Sequence, residues 1–162
     1  MEMLAAQPNT IFMGQAVAYP GTAMFGTLRN VPMEKRVELP VAEDMQMGMA
    51  IGASLNGLLP ICIYPRWNFL LLATSQLVLH LDKLPLYSDY RPKVIIRTAV
   101  ATDSPLNPGV QHLGDFTDAY RSMLKTVVVR KIGQAQQVMS IYEAALKREK
   151  STLIIESLSQ YG

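Results

Sequence analysis

The chain is poor in the residues on which most site chemistries rest. Its 162 residues include one cysteine, two histidines and one tryptophan. One cysteine excludes an internal disulfide. The widely spaced histidines and lone thiol give no zinc site. Cys62 lies in an apolar run, P-I-C-I, and no signal-peptide pattern opens the sequence. These features point to a reducing compartment, the cytoplasm. Charge of one sign is also scarce: 15 basic and 13 acidic side chains leave a formal +2. They are interspersed, and no basic run exceeds two residues, so nucleic-acid binding has no compositional support. The most apolar stretch, 69–81, contains Gln76 and His80 and stops at Asp82. It is too short and too polar to span a bilayer, and a buried helix is expected there instead.

Several motifs are missing. There is no G-x-G-x-x-G and no G-x-x-x-x-G-K-[ST], and the glycines of 48–57 fall inside a helical pattern, which disfavours a nucleotide domain. No G-x-S-x-G elbow is present. There is also no G-D-G followed by Asn, the pattern that holds a magnesium diphosphate.

What is present is apolar and periodic. Hydrophobic residues make up 49% of the chain, and its length fits one domain with a proper core. Strand patterns at 10–17, 35–39, 59–64, 93–100, 126–129 and 153–157 alternate with helical patterns at 45–56, 67–81, 113–122 and 132–148. The centre of 93–100 is continuously apolar, as in a sheet covered on both faces. The last helical pattern puts Ala135, Val138, Met139, Tyr142 and Leu146 on one side. Asp44 can cap the helix at 45–56, and Asn56-Gly57 closes it. Gly48 and Gly52 share one helix face and allow close packing on a sheet or another chain. The segment 101–110 carries Pro105, Pro108 and Gly109 and reads as loop. This alternation predicts a three-layer α/β/α domain with a mainly parallel sheet and ligands at the C-terminal strand ends.

Some side chains have two readings. Glu43, where a strand hands over to a helix, is either a solvated acid favoured by the helix dipole or a site carboxyl. Phe69 is a core residue or an aromatic platform. His112 follows a Pro/Gly loop and is less suited to the core than His80, which lies among leucines and reads as structural. Asp115 stands one helical turn from His112 and can pair with it. Arg66 and Arg97 are anion or interface groups, or surface ion-pair partners.

Six segments, in order and spacing, give the chain a family likeness. They are F-M-G-Q-A-V-A at 12–18, R-V-E-L-P-V-A-E at 36–43, G-M-A-I-G-A-S-L-N-G-L-L-P-I at 48–61, N-F at 68–69, P-G-V-Q-H at 108–112 and L-I-I-E-S-L-S-Q-Y-G at 153–162. Over residues 9–162 the chain resembles the pyrimidine-binding domain of thiamine-diphosphate enzymes. The likeness is strongest to the N-terminal part of the 2-oxoacid dehydrogenase E1 beta subunit, with transketolase more remote. The resemblance implies that Glu43 is the catalytic glutamate, whose carboxyl donates to a pyrimidine ring nitrogen. It implies that Phe69 packs on the aminopyrimidine and that His112 is the active-site histidine. Gln15, at the end of the first strand, joins Glu43 and Phe69 as a cofactor contact. The sequence departs from the family at three places. Gln15 stands where an acid is common, Arg97-Thr98-Ala99 where R-G-P is usual, and Leu113-Gly114 where Ser-Gln follows the histidine.

The whole chain, 1–162, then reads as one pyrimidine domain without a diphosphate domain or a C-terminal transketolase-type domain. Thiamine diphosphate is expected by its pyrimidine end, with Mg²⁺ held by a diphosphate-binding alpha-like partner subunit. The expected assembly is a hetero-oligomer of the heterotetramer type, and the isolated chain can pair with itself through its small-residue helix. Neither nucleic acid nor membrane is an expected partner. Three functions remain open: 2-oxoacid decarboxylation with acyl transfer, transketolase-like ketol transfer, and a non-catalytic subunit that keeps only the partner interface.

Overall fold

The apolar runs become six strands: β1 (Thr10–Gly14), β2 (Arg36–Glu38), β3 (Leu59–Ile63), β4 (Ile95–Val100), β5 (Val128–Lys131) and β6 (Thr152–Ser157). The computed structural model describes residues 1–102 and 107–161. The strands form one sheet in the order β2-β1-β3-β4-β6-β5, and every pairing is parallel. All five residues of β3 are buried, as expected of a strand covered on both faces. Successive side chains divide between the layers. Ile61, Ile63, Ile95 and Ile154 enter one apolar cluster, and Cys62, Ile96, Leu153 and Ile155 enter the other.

Helices cover both faces. On one side lie α3 (Glu43–Leu55), α4 (Trp67–Leu72), a π-helical turn at Gln76–Leu81 and α6 (Thr117–Met123), which bury Met47, Leu70, Leu77 and Tyr120. On the other lie α1 (Glu2–Ala5), α2 (Ala23–Gly26) and α7 (Gln137–Lys147), which bury Leu4, Met24 and Tyr142. A short α5 (Leu84–Tyr87) follows the π turn. The expected three-layer α/β/α fold is therefore present.

Several boundaries differ from the sequence reading. The apolar stretch 67–81 is not one buried helix. It breaks after α4 and widens into the π turn, where the Asp82 N–H reaches the Leu77 carbonyl at 2.9 Å. Only Leu70, Ala73, Leu77 and Leu81 are buried in it beyond Trp67, whereas Leu72 and Leu79 are 62% and 57% exposed and His80 also faces solvent. β5 begins at Val128 because the N–H groups of Lys125, Thr126 and Val127 are taken by the Asp82 carboxylate. α7 starts at Gln137, whose side-chain oxygen accepts the N–H groups of Gly133 and Gln134 and keeps them in a loop. Tyr142 is buried on α7 and Met139 is exposed. α3 starts at Glu43, so Asp44 lies within its first turn and makes no cap; its carboxylate accepts from Gln76 at 3.3 Å. A Cβ on Gly52 would meet nothing within 4 Å, and one on Gly48 would only touch Gln76 at 3.9 Å. The close packing expected of these glycines is not made among the described residues. Pro105 of the expected loop lies outside the described residues.

The order of the sheet locates the site. From β1 the chain crosses to β2 on one side and then to β3 on the other, so the crevice between β1 and β3 is the topological switch point. Gly14 and Ile63 are the terminal pair there. A Cβ on Gly14 would lie 2.4 Å from the Ile63 oxygen, and its φ of +152° also favours glycine. This close approach explains the glycine at the head of the site.

Candidate functional site

The residue after Gly14 is Gln15, and its placement is built from β2. Ala16 takes a left-handed φ of 54°, which costs about 1 kcal/mol for a non-glycine residue. Glu38, at the end of β2, holds the turn in place. Its carboxylate accepts the N–H groups of Ala16, Val17 and Ala18 at 2.6, 2.8 and 2.7 Å. Arg36 secures the following loop by donating to the carbonyls of Val17, Leu28 and Val31. With the turn fixed, the Gln15 side-chain amide donates to Oε1 of Glu43 at 3.2 Å and reaches the Pro40 carbonyl at 3.5 Å.

Glu43 is 4% exposed and opens α3, where the helix dipole favours an acid. Its Oε2 makes no hydrogen bond among the described residues. The Tyr64 hydroxyl donates to the Glu43 backbone carbonyl at 3.0 Å. Burial, followed by the neighbouring Cys62, pushes the Tyr64 phenol well above its ordinary range, so it stays a neutral donor. Gln46 ties α3 to β3 by donating to the Ile63 carbonyl at 2.9 Å and to Cys62 Sγ at 3.3 Å. Burial pushes the Cys62 thiol up to about 11, which makes it an inert core residue.

The second half of the site comes from β3 and β4. Phe69 stands half-buried on α4, and His112 ends a single 3₁₀ turn, Val110–His112, behind Gly109 with φ +84°. The two rings lie 6.0 Å apart at 52°. His112 Nδ1 is 2.8 Å from Asn68 Oδ1. Asp115 does not reach His112: its carboxylate accepts from Thr117 and from Lys131. Arg97 is no surface group, being 1% exposed and paired with Glu156. Arg66 borders a cavity of about 340 Å³ together with Thr22, Ala101 and Tyr161.

The structure thus brings Gln15 to Glu43 and Phe69 to His112. Among the described residues no hydrogen bond or ring contact joins the two pairs directly. Tyr64, which follows β3 three residues before α4, bonds to the Glu43 backbone. The residue missed from the sequence is Asn68. The only hint of it was its place in N-F, beside the aromatic already singled out.

Among the described residues no group of three or more His, Cys, Asp or Glu could hold a metal, and no helix is long and apolar enough to cross a membrane.

No family model matches the chain. Three curated relatives are beta subunits of the mitochondrial pyruvate dehydrogenase E1 component. That of Chaetomium thermophilum is 25% identical over 99% of this chain and 43% of its own length. Those of Caenorhabditis elegans and Saccharomyces cerevisiae are each 26% identical over 99% of this chain, covering 46% and 44% of theirs. The chain therefore spans less than half the length of the relatives it matches. A solved structure described as a split gene transketolase, inactive beta4 tetramer, aligns at a TM-score of 0.74 over 96% of this chain and 47% of that one, with 19% identity. The chain is accordingly similar over nearly its whole length to pyruvate dehydrogenase E1 beta subunits and shares the fold of the split transketolase.

Proposed function

We propose that the chain is the pyrimidine-binding, beta-like subunit of a split thiamine-diphosphate enzyme that acts on a 2-oxoacid. The observation that carries this reading is Glu43, a buried carboxyl at the switch point with one oxygen held by Gln15 and the other unpartnered. A carboxyl group in that state suits a ring nitrogen that needs a proton donor. Thiamine diphosphate held there would supply a nucleophilic carbon and an electron sink for loss of CO₂ from the 2-oxoacid.

The chain's own residues have narrower tasks. Glu43 holds and moves a proton at its free Oε2. Gln15 fixes the rotation of that carboxyl. Phe69 offers an aromatic face for offset stacking. His112 takes or returns a proton on the substrate side. The diphosphate and Mg²⁺ fall to an alpha-like partner, a reading supported by the likeness to subunits named beta. A heterotetramer is the assembly we infer. The split transketolase neighbour, described as an inactive beta tetramer, supports a beta chain that assembles alone without turnover. The relatives are mitochondrial by name, and for this chain we propose a reducing compartment such as the cytoplasm.

One observation favours a second reading, a subunit that keeps the interface without turnover. Gln15 puts an amide on Glu43 at the position where the family commonly has an acid.

Hydrogen–deuterium exchange at the cofactor C2, measured with the chain, Mg²⁺ and the alpha-like subunit together, separates the two. Exchange faster than in free cofactor supports the enzyme; no acceleration in a formed complex supports the second reading.

A further inference from the structure

We propose that Asn68 is a positioning residue that sets the tautomer of His112, keeping the proton of the neutral ring on Nδ1 and leaving Nε2 bare. The proton on a neutral imidazole is placed by the hydrogen bonds its two nitrogens can make. Here Nδ1 faces the Asn68 Oδ1, an acceptor, at 2.8 Å. With the amide turned this way, that contact is satisfied only when Nδ1 carries the hydrogen. Nε2 then has a free lone pair, and it has no partner among the described residues.

The backbone on both sides of the contact is anchored. Asn68 lies in the first turn of α4, where the Phe69 N–H bonds to the Arg66 carbonyl at 3.1 Å. The His112 turn is closed by its own N–H on the Gly109 carbonyl at 3.0 Å, and the Gly109 N–H is held by Asn107 Oδ1 at 2.8 Å. Phe69 limits the imidazole from the side, with ring centres 6.0 Å apart. The nearest carboxylate in sequence, Asp115, is committed to Lys131 and Thr117. The orienting group is therefore a neutral amide, whose oxygen can only accept. Only the role of the bare Nε2 as a proton acceptor rests on the function proposed above; the tautomer does not.

The test is ¹⁵N–¹H correlation of the two histidine side chains in the full-length chain, with His112→Gln to assign the signals. At a pH where the rings are neutral, His112 should show a protonated Nδ1 and a bare Nε2, while the exposed His80 shows the solution preference for a protonated Nε2. Asn68→Ala should move the His112 proton to Nε2. Asn68→Asp, which keeps an acceptor oxygen in place, should hold it on Nδ1. A parent His112 protonated mainly on Nε2, or a pattern unchanged by Asn68→Ala, overturns the assignment. If the tautomer moves as stated while His112→Gln leaves turnover of the assembled complex intact, the positioning stands and the catalytic role of His112 falls.

Discussion

The side-chain amide of Gln15 donates to Oε1 of Glu43 at 3.2 Å, across a crevice that separates them by 28 residues of sequence. The contact depends on several supports. Gly14 lets β1 end against the Ile63 carbonyl, Ala16 turns left-handed, and Glu38 clamps the turn through three N–H groups. A neutral donor in this place leaves Glu43 without a second carboxylate on its Oε1.

Gln15→Glu should therefore cost stability at neutral pH, by about 1–2 kcal/mol. Two carboxylates at hydrogen-bond distance cannot both ionise freely, so one of them titrates high in the folded variant. A carboxyl whose pKa rises on folding destabilises the protein above its unfolded value, near ~4.3. The cost is about 1.4 kcal/mol for every tenfold weakening of the acid. The deficit against the parent should be smallest near pH 4 and grow toward pH 7. Thermal unfolding across that range reads it, and a variant equal to the parent at pH 7 would show that the two side chains do not meet.

Glu43→Gln should keep the fold and partner binding while slowing C2 exchange in the assembled complex. Glutamine matches the shape of glutamate and can still bond to its neighbours. It cannot serve as the acidic end of a proton relay, a contribution of typically ~10²–10⁴-fold. The loss belongs in the chemical step rather than in substrate affinity. Exchange as fast as in the parent would remove Glu43 from that role.

Much of this fold was legible because the strand cores are continuous apolar runs, and such runs have few alternatives in an α/β domain. All six strands lie where the pattern put them, to within a few residues. What escaped the sequence depends on contacts between distant residues. The Asp82 carboxylate delays β5, and nothing local at 125–127 signals it. The leucines of 67–81 suggested one buried helix, yet the break after α4 and the π turn leave Leu72 and Leu79 in solvent. Asp115 looked like a partner for His112 by spacing alone, but the loop after the 3₁₀ turn carries it to Lys131. At the candidate site, Glu43, Phe69 and His112 were named from motif order, and the bond that orients the imidazole emerged only from the fold.

Arg97 and Glu156 form a buried pair between neighbouring strands, with Nη2 to Oε2 at 2.9 Å and Nε to Oε1 at 2.8 Å. Tyr142 and Tyr161 add hydroxyl bonds to the carboxylate, and Thr27 bonds to the guanidinium. Burial works against the Arg97 charge, but Glu156 more than offsets it and holds the guanidinium above its ordinary value. Arg97→Met should destabilise by about 3–5 kcal/mol, because it strands a buried carboxylate. The double replacement Arg97→Met with Glu156→Leu should cost less than that single change. Urea unfolding of both variants checks this, and simple additivity would rule out the coupling.

Asp82 is fully buried where the π turn ends, and its Oδ1 accepts the N–H groups of Lys125, Thr126 and Val127 at 2.8, 2.7 and 3.0 Å. Burial disfavours the charge, yet these three donors and Lys83 outweigh it and hold the carboxyl below its usual range. Such a group contributes stability that is complete above its unfolded value, near ~3.9, and disappears as pH falls through the lower folded value. Asp82→Asn keeps an acceptor of similar shape but loses the charge, so about 2 kcal/mol should go at pH 7, in line with the ~1.5–3 kcal/mol typical of bonds to a charged group. The gap between parent and variant should close below pH 4, where the parent's own carboxyl takes up a proton. Amide exchange adds a local reading: the N–H groups of Lys125, Thr126 and Val127 should exchange faster in the variant, while those of the central strands β3 and β4 change only as far as global stability does. If the gap is the same at pH 3 and pH 7, the charge on Asp82 contributes nothing and the three N–H bonds act as neutral ones would.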